Sequence, residues 1–166
     1  TPTAGPITYK PTGEGIDPTT MIGIELPKFP NENGNIKFYR VVVVMVDGTE
    51  NSQDLARIFN KNESELILYE KWKNLDDKLH IPYIASAFSA DLYDENKNFI
   101  IGKGDDFDNT YPSRKKRALD ESKSKNGKLI PNKKYAVAVR AYTAKVIALL
   151  VIALYIFSCT LGTNYV

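Results

Sequence analysis

Leu129–Thr143 reads LIPNKKYAVAVRAYT, and its reading decides the fold. Leu129-Ile130-Pro131-Asn132-Lys133-Lys134 has the make-up of a turn entering a strand, and Tyr135–Tyr142 is the strand. Side chains alternate across a strand, so Tyr135, Val137, Val139 and Ala141 share one face and Arg140 and Tyr142 the other. That period of two predicts one buried face and one wet face. The spacing of Leu129, Pro131 and Tyr135, followed by Val137, Val139 and Ala141, matches a tyrosine corner, in which the phenol bonds back to upstream backbone and pins the edge of a sandwich.

Working outward, the preceding chain alternates strands with turn signals. Met21–Leu26 reads as a strand stopped by Pro27, and Pro30–Asn35 as a turn. Ile36–Val46 (IKFYRVVVVMV) is the longest strand, dense enough in β-branched residues to be buried on both faces for part of its length. Asp47-Gly48 ends it. Residues 49–82 read as a helical insertion. Leu55, Ile58 and Phe59 make one helical face, and Leu68, Trp72 and Leu75 another, with Ser64 as N-cap, although Leu66–Trp72 also suits a strand. Pro82–Phe88 and Phe99–Gly102 are further strands, and Lys103–Lys128 a polar loop. Residues 1–20 hold four prolines and three glycines, which suits a linker or an edge strand at Ile7-Thr8-Tyr9. With no βαβ rhythm, this order predicts an all-β antiparallel sandwich with a short helical insertion.

Composition narrows the function classes. The 166 residues suit one domain, and a net charge of +2 argues against a large nucleic-acid footprint. One cysteine, Cys159, rules out an internal disulfide framework without settling the compartment. The chain starts at Thr1 without a basic-then-apolar leader, as a mature fragment or excised domain would.

Four stretches carry a family likeness: Asn33–Val44, Tyr83–Phe88, Phe99–Gly102 with Phe107-Asp108-Asn109, and Leu129–Ala141. Through them the chain resembles a fibronectin type III (immunoglobulin-like) domain. More narrowly, it resembles the membrane-proximal ectodomain of receptor-type protein tyrosine phosphatases, over about residues 20 to 143. The resemblance implies an extracellular sandwich, residues 21–143 with insertion 49–82, standing between adhesive modules and a membrane span. It implies no catalysis here. Phosphatase chemistry needs a low-pKa cysteine in a phosphate-cradling loop closed by arginine, and Phe157-Ser158-Cys159-Thr160-Leu161 lacks both flanking His and Arg. Cofactors and resident metals are not expected.

Several local motifs remain. Arg114-Lys115-Lys116-Arg117 fits the Arg-x-Lys-Arg pattern of secretory proprotein convertases, with cleavage after Arg117; the plain alternative is a solvated charge run. In the resembling family the cleaved position lies before the Tyr83 strand, whereas this run follows Asn109. The same patch with Lys123, Lys125 and Lys128 could instead take heparan sulfate. Asn62-Glu63-Ser64 is an N-glycosylation sequon, informative if the chain is secreted. Asp94-x-Asn96-x-Asn98 begins like a calcium loop but has Phe99 where Gly is needed and Asp105 where Glu is usual. His80, the single histidine, has no cysteine partner for zinc and reads as a surface or packing residue. Gly102-Lys103-Gly104 lacks the context of a phosphate loop.

Residues 146–161 are almost wholly apolar. As a helix they span roughly 24 Å at ~1.5 Å per residue, short for about 30 Å of hydrocarbon but workable with Lys145 snorkelling. Arg140 and Lys145 precede the run, opposite to the charge placement of a receptor topology. A membrane helix is the first expectation; a last strand or buried helix, or an out-of-place splice tail, are the others.

The reading is thus a non-catalytic extracellular membrane-proximal module serving as spacer or adhesion unit, membrane-anchored in single pass or secreted, with a protein or glycosaminoglycan ligand and no nucleic acid. The rivals are a fibronectin-type module of another adhesion or cytokine receptor, and a small intracellular β-rich enzyme.

Overall fold

The structure is a computed structural model and describes residues 7–10, 13–30, 34–108, 123–143, 147–151 and 157–158. One antiparallel sheet holds β1 (Thr8–Lys10), β2 (Ile22–Glu25) and β6 (Asn98–Ile101) in the order β1-β2-β6. The second is built on β3 (Ile36–Val46) and β9 (Lys134–Thr143), with β5 (Tyr83–Ser89) on the far side of β3. β4 (Ile67–Leu68) lies parallel on β5, and β10 (Ile147–Val151) and β11 (Phe157–Ser158) pair with β9. β7 (Asp106–Asp108) and β8 (Lys123–Lys125) form a separate two-stranded ribbon. The helices are α1 (Ser52–Phe59), α2 (Tyr69–Lys73) and α3 (Tyr93–Asn96).

The two sheets close on one core. Ile22, Ile24, Phe99 and Ile101 meet Val41, Val43, Tyr83, Tyr135, Val137 and Val139, the inward residues of strands whose period is two. Trp72 of α2 is fully buried in the same core. Sheets stacked at ~10 Å around such interdigitated side chains make a β-sandwich.

Leu129, Pro131 and Tyr135 sit at the entry to β9. The Tyr135 phenol oxygen accepts from the Ile130 N–H at 2.8 Å, across the turn that begins at Pro131. Asn132 follows Pro131 with φ of 61°, a left-handed conformation that asparagine tolerates. Leu129 is buried, and its N–H reaches the Thr20 carbonyl at 3.0 Å, tying the entry to β9 to the residues just before β2. Gly102 fits against the same carbonyl. Its φ is +87°, and a Cβ there would stand 2.2 Å from the Thr20 oxygen, so only glycine ends β6 this way.

Four local expectations are corrected. First, the second face of β9 is not wet: Arg140 and Tyr142 are buried. The insertion covers that face, with Leu55 and Phe59 of α1 packing on Val42, Val44, Val46, Ala136 and Ala138. α1 starts from Asn51, whose side chain accepts the Asp54 N–H while the Asp54 carboxylate accepts the Asn51 N–H.

Second, no helix starts at Ser64. Residues Glu63–Glu65 form one 3-10 turn, Ile67–Leu68 are taken by β5, and α2 begins only at Tyr69. Backbone pairing offered by β5 outweighs the helical spacing of Leu68 and Trp72. Third, the polar loop 103–128 contains the β7/β8 ribbon, in which Asp106 faces Lys125 and Asp108 faces Lys123. Opposite charges on facing positions favour the pairing.

Fourth, the helix expected over 146–161 gives way, where residues are described, to strand. Ile147–Val151 runs antiparallel to β9 with a bulge between Ile147 and Leu149, and Phe157–Ser158 pairs with Tyr135 and Lys134. The free edge of β9 is a row of N–H and C=O groups that an apolar run can satisfy as well as a helix can. Among the described residues no helix is long and apolar enough to cross a membrane.

Candidate functional site

The middle of the covered face carries the densest polar chemistry of the described residues. Arg40 in β3 and Arg140 in β9 stand directly opposite each other in the ladder. Like charges so placed repel. Among the described residues, one carboxylate that bridges both is Glu63 from the 3-10 turn. Its Oε1 accepts from Arg140 Nη1 at 2.7 Å and from the Tyr142 hydroxyl at 2.5 Å, and its Oε2 pairs with Arg40. Arg140 Nη2 also donates to the carbonyls of Phe59 and Lys61, at 2.6 and 2.7 Å. The Phe59 carbonyl is one of those left over in the last turn of α1, and Lys61 lies two residues past it. The Arg40 guanidinium lies 5.4 Å from the Phe38 ring centre and 5.5 Å from that of Tyr142, a cation–π arrangement. The insertion is thus pinned to the sheet by charge at its middle and by Leu55 and Phe59 at one end.

Asn62, the sequon asparagine, sits beside this pin. It is exposed, and its backbone N–H is held by the Glu65 carboxylate at 2.8 Å. The middle residue of the sequon is Glu63 itself, so its side chain turns to the sheet while its neighbours on both sides, Asn62 and Ser64, face solvent.

Burial pushes the Tyr142 phenol up to about 12, and its hydrogen bond to Glu63 acts in the same direction. Tyr39 is raised to about 12 as well, by burial first and by Tyr93 second. Both hold their protons more tightly folded than unfolded, where the phenol titrates near 10. The stability they lend is therefore complete below about pH 10 and is lost as pH rises from about 10 to 12. Urea midpoints measured across that window should fall steeply, and less steeply in Tyr142→Phe; identical slopes would contradict the assignment.

The other sequence motifs land as follows. Arg114, Lys115, Lys116, Arg117 and Cys159 lie outside the described residues. Lys123, Lys125 and Lys128 are exposed in and just after β8. The Asp94–Asn98 oxygens are not gathered: Asp94 and Asn96 sit in α3, Asn96 donates to the Leu92 carbonyl, and Asn98 takes Lys10. His80 has φ of 62°, and its Nε2 lies 2.6 Å from Glu50. Glu50, Asp47 and His80 bring ligand-type atoms within 4.8 Å of one another. The Glu50 carboxylate is already used by His80 and by the N–H groups of Asp47 and Gly48. Although burial opposes its ionisation, those hydrogen bonds hold it below the usual glutamate range.

Sequence reasoning missed Glu63, Arg40 and Arg140 as a unit. The available signal was an arginine in the middle of each of the two most apolar strands, since a charge inside a doubly buried strand requires a partner.

Fold and site together define a β-sandwich whose central strands β3 and β9 are buried on both faces, one by the opposing sheet and the other by the chain's own insertion. A family model described as the TM proximal region of protein tyrosine phosphatase, receptor type J, matches residues 24–154. The chain belongs to this family, the membrane-proximal region of receptor-type tyrosine phosphatases. A search of curated proteins gives no match.

Proposed function

We propose that the chain works as a non-catalytic, extracellular spacer and adhesion module next to the plasma membrane, glycosylated at Asn62 and processed after Arg117. The observation that carries the reading is the family match over 24–154, which runs from within β2 through β10. The strand orders β1-β2-β6 and β10-β9-β3-β5 support a fibronectin type III-like build. A sheet buried on both sides resists deformation, as a spacer needs. Exposed Lys123, Lys125 and Lys128 are suited to a glycosaminoglycan, and a protein ligand is the other partner class. The apolar run 146–161 stays a proposed source of membrane attachment, in strand or helical form.

Secretory expression tests the reading. The wild type should lose apparent mass on treatment with an N-glycosidase, and Asn62→Gln should not. Arg117→Ala should migrate as one uncut band on a reducing gel where the wild type gives two. A wild type that the glycosidase leaves unchanged removes the glycan. A wild type that runs like Arg117→Ala removes the processing.

A further inference from the structure

One slot on the molecule is left unused by this reading. It lies between β5 and the β7/β8 ribbon, with a volume of ≈ 460 Å³. Among the described strands, β5 has an outer-edge partner only at Tyr83 and Ile84, where β4 lies on it. Ser86, Ala87, Phe88 and Ser89 line the slot, and no described strand pairs with β5 there; Asp106–Asp108 of β7 line it as well, without pairing to β5. An uncovered edge turns alternate N–H and C=O groups outward, a template for an added strand. The four residues give ~13 Å of edge at ~3.3 Å per residue.

The lining states what would be added. Phe38, Ala87 and Phe107 provide an apolar floor, and Leu92 at one end is 37% exposed, the one large hydrophobic side chain so exposed among the described residues. Asp105, Asp106 and Asp108 stand along the far wall, and among the described residues no lysine or arginine lines the slot. Asp105 shares its charge with the Asn126 amide, and Lys125 and Lys123 face Asp106 and Asp108 across the ribbon. The acidic wall is thus softened and keeps its sign.

We propose that this slot binds an extended peptide segment of a partner protein with alternating basic and apolar residues, added as a strand to the β5 edge. Main-chain hydrogen bonds would give the binding, Leu92 and the floor would take the apolar side chains, and the aspartates would select basic ones.

The test uses the full chain and fluorescein-labelled octapeptides. Anisotropy should rise saturably with Lys-Val-Lys-Val-Lys-Val-Lys-Val, weaken with added salt, and stay flat with the Glu-Val counterpart. The same basic peptide N-methylated at alternate backbone nitrogens should not bind. Amide exchange at Ser86–Ser89 should slow in the complex. Both Leu92→Arg and the charge-removing double variant Asp106→Asn/Asp108→Asn change exposed residues and place no like charges across the ribbon. Each should weaken binding about tenfold or more, with circular dichroism unchanged. Equal binding of the acidic peptide, or full affinity in both variants, would overturn the proposal. So would binding that appears only after Arg114, Lys115, Lys116 and Arg117 are replaced by alanine, since the occupant would then be this chain's own basic run.

Discussion

Glu63→Ala is expected to cost ~3 kcal/mol of stability, more than any other charge removal among the described residues. The variant takes from Arg140, which stands opposite Arg40 in the ladder, the carboxylate it is paired with. Arg140 is 4% exposed and cannot recover its hydration without opening the insertion. The loss should be read as a lower urea midpoint in the fluorescence of Trp72, the single tryptophan. Adding Arg140→Met to Glu63→Ala should restore part of the loss, because it removes the uncompensated charge and leaves an apolar stem on an apolar face. A Glu63→Ala variant within about 0.5 kcal/mol of the wild type would show that the carboxylate does not hold the insertion.

Trp72→Ala should cost about 3–5 kcal/mol, the range for truncating a large buried aromatic. The indole is fully buried, 4.6 Å from the Tyr83 ring centre and 5.8 Å from that of Tyr69. Tyr69 in turn donates its hydroxyl to the Lys128 carbonyl at 2.7 Å, so the aromatic cluster links α2 to the segment that leads into the corner. The Trp72 Nε1 has no hydrogen-bond partner among the described residues. Trp72→Phe therefore forfeits volume and no hydrogen bond, and should cost about half as much or less. Thermal melts followed by circular dichroism give the comparison, since either variant lacks the fluorophore. Equal melting of the two variants would mean that the site refills on truncation.

The parts legible in the sequence were those set by local pattern. β3 and β9 follow from their β-branched runs and period of two, and α1 from Leu55, Ile58 and Phe59 on one turn-spaced stripe. The Leu129–Pro131–Tyr135 spacing pointed to the residues that tie the β9 entry back to Ile130 and Thr20. The parts set by distant partners were not legible. Leu66–Trp72 suits helix or strand by pattern, and pairing with β5 makes a strand of Ile67 and Leu68 alone. The β7/β8 ribbon is two triplets, Asp-Phe-Asp and Lys-Ser-Lys, too short to show alternation until they face each other. Glu63 meets residues 23 and 77 positions away, a convergence that no window of sequence contains. The apolar run after Thr143 suits helix and strand equally by composition. Where it is described, at Ile147–Val151 and Phe157–Ser158, it is strand paired with β9.

The opposition of Arg40 and Arg140 also bears on how the chain finds a single alignment. Val41-Val42-Val43-Val44 lies against Val139-Ala138-Val137-Ala136, a pairing of nearly interchangeable apolar residues. A slip of two positions would keep every side chain on its proper face and lose little packing, so hydrophobicity leaves several near-degenerate alignments. The arginine pair removes that degeneracy. Only one alignment places both guanidinium groups under the same carboxylate, and every other strands one of them against valine or alanine. The insertion acts as a key that is cut for one alignment of the two longest strands, and the sheet's address is written in three charges.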